Sequence, residues 1–115
     1  MTIQYKNSKF SLSGTGQTTV LNISVTAVAI VKSVSIANTS SGAVTVKARM
    51  KDYSDSNANA RFFVKAMASN TQENATPSPL NLESGDAIEV QSSEGGGVIE
   101  GVVSYALLDR SQENG

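Results

Sequence analysis

The stretch AIVKSVSIANTSSGAVTVKARMKD, residues 29–52, decides how this chain is read. In its second half Val44, Val46, Ala48 and Met50 fall on one face of an extended chain, and Thr45, Lys47, Arg49 and Lys51 fall on the other. Successive side chains of a strand point to opposite faces, so this period of two describes a strand with one face buried. NTSSG, residues 38–42, is a turn cluster, and AIVKSVSIAN ahead of it reads as the hairpin partner. Under strict alternation Ile30, Val34 and Ile36 share one face of that partner with Lys32, whose stem then runs along apolar surface while its ammonium reaches water.

The same pattern extends in both directions. TTVLNISV, residues 18–25, is an earlier strand introduced by the flexible turn SGTGQ, and IQYKNSKFSLS, residues 3–13, holds one or two more. After the loop YSDSNANA, residues 53–60, comes RFFVKAM, in which Phe62, Val64 and Ala66 oppose Phe63, Lys65 and Met67. SNTQENATPSP, residues 69–79, is polar, carries both prolines and reads as a surface connection. LNL, AIEVQSS and VIEGVVSYALL complete the set, the last with Ile99, Val103, Tyr105 and Leu107 toward the core. Between them, ESGD lets Gly85 take positive φ and Asp86 bond to nearby backbone, and EGGG forms a second turn. Gly101 inside the last strand signals a bulge or the close approach of another backbone. Val98 and Val102 point away from its core face, toward a second sheet or another protein.

No apolar stripe of helical period appears. About seven or eight short strands with turns every 8–12 residues predict an all-β fold, a single antiparallel β-sandwich. Loop lengths leave jelly-roll and immunoglobulin-like connections both open. One domain covers residues 1–115, with 1–14 read as a contact arm or a sandwich strand and 110–115 as a flexible, exposed tail.

Composition narrows the chemistry. A chain of 115 residues can bury roughly two thirds of its unfolded surface without staples. It has no cysteine and no histidine, which removes disulfides, thiolate metal sites, the commonest general base and both Ser-His and Cys-His catalysis. Charged residues are 17% and the net charge is −1, so no broad field draws the chain to nucleic acid or to an acidic membrane. The start of the chain lacks the apolar run of a signal peptide, and Val25 to Ile36 is too interrupted and too short to span a bilayer. The protein is therefore expected to be made in the cytoplasm and to stay out of the membrane.

Four candidate sites are weak on their own chemistry. SGTGQTT lacks the lysine and the glycine spacing of a phosphate loop. Asp52, Asp55 and Asn57 cluster in KDYSDSN without calcium-loop spacing, so no metal is expected. Glu83, Asp86, Glu89, Glu94 and Glu100 lie in turns or on polar strand faces, not as a pair around a cleft, and no catalytic residue and no cofactor is assigned. Phe62 and Phe63 beside Arg61, Lys65, Lys47, Arg49 and Lys51 form the one basic-aromatic cluster. An alternating strand needs one of those rings for the core, so nucleic acid is not expected as a partner.

Laid out as strands, the chain resembles a family of small bacteriophage virion proteins. The resemblance is carried by QTTVLNI, AIVKSVSIANTSSGAVTV, LNLESGDAIEV and VVSYALLD and spans roughly residues 15–109. It departs from the family at SVTAV, residues 24–28, where a Pro-Ala-Gly type turn is usual. The resemblance implies a β-sandwich without enzymatic activity, located in the virion and acting through protein–protein contacts. The leading expectation is a capsid decoration (cement) protein bound to the major capsid protein or other virion proteins, as copies in a symmetric assembly. The alternatives are a neck, tail or fibre-attachment ring, or a carbohydrate-binding module for host recognition. The expected contact residues are Ile3, Tyr5 and Phe10 in the N-terminal segment and Lys47, Arg49 and Lys51 on the basic strand face.

Overall fold

A computed structural model describes residues 2–76 and 78–109. The elements in chain order are β1 (Thr2–Ser11), β2 (Thr18–Asn22), β3 (Ala27–Asn38), β4 (Val44–Asp52), a 3₁₀ turn (Tyr53–Asp55), β5 (Ala58–Met67), β6 (Thr71–Asn74), β7 (Leu80–Leu82), β8 (Ala87–Ser92) and β9 (Ile99–Asp109). One sheet runs β1-β9-β3-β6, with β7 also paired to β3, and the other runs β2-β8-β4-β5. Every pairing is antiparallel.

The pairing rule behind this order is nesting. β4 pairs with β5, β3 with β6 and β7, β2 with β8, and β1 with β9. With β6 and β7 sharing one position beside β3, this is an eight-position jelly roll. The sandwich class expected from alternation is therefore present, and of the two connections left open the jelly roll is the one adopted.

The core lies between the sheets. Val31, Val34, Ile36, Ile99 and Val103 of the first sheet face Val44, Val46, Ile88 and Val90 of the second, each at most 1% exposed. Leu12, fully buried just after β1, donates its backbone N–H to the carbonyl of Ile99.

Four local expectations are corrected. β3 and β4 are not hairpin partners; they belong to opposite sheets and meet through their apolar faces. The link, residues 39–43, crosses the sandwich edge beneath Asn38, which is 1% exposed and donates Nδ2 to the carbonyls of Gly42, Met67 and Ala68. Next, the register of β3 against β9 shifts between Val31 and Ser33. This bulge breaks the alternation, so Ile30 and Lys32 face out while Val34 and Ile36 face in. A second shift between Ala48 and Arg49 places an extra residue in β5, and Phe62 and Phe63 both pack against the core as a result. Finally, Thr71–Asn74, read as part of a surface connection, forms β6, and β5 begins at Ala58.

The turn chemistry is as expected. Gly85 has φ 86°, and Asp86 accepts the backbone N–H of Glu83 at 2.8 Å. A side chain on Gly101 would strike the carbonyl oxygen of Ser35 and the ring of Phe10, so the strands can approach only because the residue is glycine. Val98 packs against the core, whereas Val102 stays 38% exposed. The tail at 110–115 lies outside the described residues.

Gly101→Ala is expected to destabilise the fold by about 1–3 kcal/mol through overpacking in a central strand. Gly14→Ala, with nothing within 4 Å of the added methyl, should stay within about 0.5 kcal/mol of the parent. Urea unfolding of the two variants checks both values.

Candidate assembly surfaces

The outer face of the first sheet is apolar at one end. Cross-strand register places Ile3 opposite Leu108 and Leu108 opposite Val28, then Tyr5 opposite Ala106 and Ala106 opposite Ile30. Tyr5 is 76% exposed, Ile3 53% and Ile30 43%. Neighbours in adjacent strands on one face touch, so these residues form a continuous stripe, and a stripe of this kind marks a contact surface more often than a scatter of single side chains does. The Nζ of Lys32 sits 5.2 Å from the centroid of the Tyr5 ring, a cation–π contact that holds the ring over the sheet. Without the bulge in β3, Ile30 would have turned into the core and the stripe would be broken.

β1 is also the edge of this sheet, and residues 3–7 are exposed on both faces. An edge strand offers backbone N–H and C=O groups to a neighbour, and Lys6 and Lys9 on it guard against indiscriminate pairing. The three residues expected as N-terminal contacts are thereby divided. Ile3 and Tyr5 face outward on the stripe, while Phe10 packs toward the core beside Gly101.

On the outer face of the second sheet Lys47, Arg49 and Lys51 do come together along β4. Sequence reasoning missed their partner. Glu89 of β8 lies directly opposite Arg49, is 8% exposed, and accepts from the Arg49 Nε at 2.7 Å. Arg49 Nη2 is 2.7 Å from the same oxygen, and the Thr19 hydroxyl reaches the other at 3.5 Å. One of the three positive charges is therefore neutralised within the sheet. The alternation AIEVQSS already placed Glu89 on an outer face, but its strand partner could not be read from it. Both phenylalanines are directed to the core, so this face lacks the aromatic platforms that single-strand nucleic acid requires. Lys65 reaches across the open edge from β5 to Glu73 of β6, joining the two sheets.

The carboxylates are arranged differently from the sequence grouping. Asp52 lies with Glu83 and Asp86, their oxygens within 4.8 Å of one another. Asp86 is 1% exposed, and its two oxygens accept the backbone N–H groups of Tyr53, at 3.0 Å, and Glu83. Its charge braces two turns. Among the described residues, no helix is long and apolar enough to cross a membrane.

No protein-family model matches the chain, and no curated protein matches it by sequence. Solved structures do. The chain is similar to one in the acidic stable capsid structure of Helicobacter pylori bacteriophage KHP30, with TM-score 0.57 and 11% identity, over 96% of this chain and 90% of that one. It is also similar to chains in infectious bursal disease virus Gx strain, with TM-score 0.52 and 13% identity, and in the T=1 particles derived from infectious bursal virus, with TM-score 0.52 and 12% identity. It covers 95% and 91% of its own length there, but only 32% and 31% of those chains, so it spans about a third of each. The shared feature is the fold.

A double-mutant cycle on Arg49→Ala and Glu89→Ala is expected to show a coupling of about 1–2 kcal/mol, between that of an exposed and a buried pair. Thermal or urea unfolding of the four proteins measures it.

Proposed function

We propose that this chain is a structural protein of a bacteriophage virion, bound in many copies over the capsid as a decoration (cement) protein. The observation that carries the reading is the outward stripe of Ile3, Tyr5, Val28 and Ile30 beside the free edge of β1. An isolated monomer gains nothing from leaving such a surface wet, whereas a symmetric assembly buries it at every contact. The fold likeness to a chain of a phage capsid structure over nearly the full length of both supports the same address. The resemblance of AIVKSVSIANTSSGAVTV and VVSYALLD to small virion proteins does so as well.

The mechanism is stabilisation by mass action. A copy that binds the assembled shell and not its free subunits lowers the free energy of the shell by an amount that grows with occupancy, so losing a subunit requires losing the bound copies too. The apolar stripe and the β1 edge supply the main contact, and Lys47 and Lys51 offer a second, electrostatic one to an acidic neighbour. The chain does no chemistry in this role; the partner is the major capsid protein or another virion protein.

Quantitative mass spectrometry of purified virions tests the proposal. One copy per capsid subunit, or a simple fraction of it, is expected. A handful of copies would move the protein to a neck or tail ring, and absence from the particle would overturn the virion reading. The double variant Tyr5→Ser with Ile30→Ser should cut the copy number at least about tenfold, the effect of losing one well-packed aromatic anchor. Its melting temperature should change little, because both side chains are already exposed.

A further inference from the structure

A second surface, at one end of the sandwich, differs in chemistry from the apolar stripe. The loops following β2, β4 and β7 converge there around a notch of about 420 Å³, lined among others by Tyr53, Val25, Asn22, Asn57, Thr19 and Lys51. The three loops are tied to one another. The Asp86 carboxylate holds the N–H groups of Tyr53 and Glu83, the Asp86 carbonyl accepts from the N–H of Ile23 at 2.8 Å, and Gly85 donates its N–H to the carbonyl of Ser24 at 3.3 Å. A notch braced in this way is formed before any ligand arrives, which removes the cost of ordering loops on binding.

The aromatic wall is built with equal care. Tyr53 lies so close over Gly85 that a Cβ there would come within 2.5 Å of the ring, while the residue remains 53% exposed. The ring is thus held against the main chain at Gly85 while much of the residue stays open to solvent. Ser56 and Asn57 adopt successive left-handed conformations, φ 54° and 62°, which non-glycine residues rarely do. Strain of this kind persists where the surrounding structure over-determines it, and it is concentrated at binding sites. Here it places Asn57 on the wall of the notch.

We propose that this notch binds a neutral sugar residue of a glycan. An exposed aromatic face beside Val25 suits the C–H face of a pyranose ring. The amides of Asn22 and Asn57 and the hydroxyl of Thr19 match its hydroxyl groups, and Lys51 adds a donor. The lining alternates apolar side chains, Tyr53, Val25, Ile23 and Ala87, with hydrogen-bonding ones, a mixture that suits a sugar with its C–H faces and hydroxyl rim. Asp52 at the end of β4, Asp55 in the 3₁₀ turn and Glu83 after β7 set a negative potential that disfavours an acidic sugar despite Lys51. A single tyrosine serves here because its ring is fixed against Gly85. A virion protein carrying such a notch would hold the particle to a glycan-coated surface, but the binding itself does not depend on the virion reading.

Saturation-transfer NMR on the full chain tests the site, with the methyl glycosides of glucose, galactose, mannose and N-acetylglucosamine as neutral probes and sialyllactose as the acidic one. Transfer to at least one neutral glycoside is expected, with Kd on the order of 1 mM. Tyr53→Ala should weaken it at least about tenfold, the scale of losing one aromatic contact in a small site. Asn57→Gly, which keeps the left-handed backbone and removes the amide, should weaken it while the melting temperature holds. Tyr5→Ala, on the stripe of the first sheet, should leave binding unchanged. Silence from every probe, equal transfer in Tyr53→Ala, or preference for sialyllactose would each overturn the proposal. None of these results bears on the copy number per virion, so the two readings fail separately.

Discussion

The pairing of β1 with β9, the first described strand with the last, is the constraint on which the rest of this structure depends. Thr2 sits opposite Asp109 and Ser11 opposite Glu100, and every other pair is nested inside that one. Among the described strands, the hairpin between β4 and β5 is the only hydrogen-bonded pair adjacent in the chain. All other links cross from one sheet to the other or run along the outside. A fold made this way must close long loops before its contacts form, which makes folding slow compared with a helical domain of the same length. It also leaves the two apolar sheet faces nowhere to go but against each other.

That arrangement separates the exterior into regions with different chemistry. The first sheet presents apolar side chains beside an unpaired edge, and the second presents a basic row in which Glu89 neutralises the central arginine. The ends carry loops, and at one of them a single buried carboxylate, Asp86, organises three connections at once. A buried charge is tolerated there because both of its oxygens are met by backbone donors. The apolar stripe, on β1, β3 and β9, and the notch under Tyr53, on β2, β4 and the loops beside them, thus lie on different elements.

The bulges explain why this surface exists at all. In β3 one extra residue near Lys32 separates Ile30, which faces out, from Val34 and Ile36, which face the core, although strict alternation would put all three on one face. In β5 another lets Phe62 and Phe63 serve the same interior. Each bulge changes the face of every side chain beyond it, so a one-residue irregularity decides whether an apolar residue stabilises the monomer or is left for a partner.

Alternation in AVTVKARMKD, the turn residues of ESGD and the crowded Gly101 were legible from residue types alone, because each reflects steric and hydrophobic preferences acting over a few neighbours. The all-β class follows from them. The same local rules made β3 and β4 a hairpin, treated TQEN as a connection and could not bring Glu83 and Asp86 to Asp52, since nothing within a few residues says which distant strand or turn will lie alongside. The Arg49–Glu89 pair, the Asp52–Glu83–Asp86 cluster, the apolar stripe and the notch under Tyr53 each join segments far apart in the chain. Which strands and faces the sequence can make is set by its local chemistry; which of them meet is decided only when the two sheets close on each other and register is chosen across the whole sandwich.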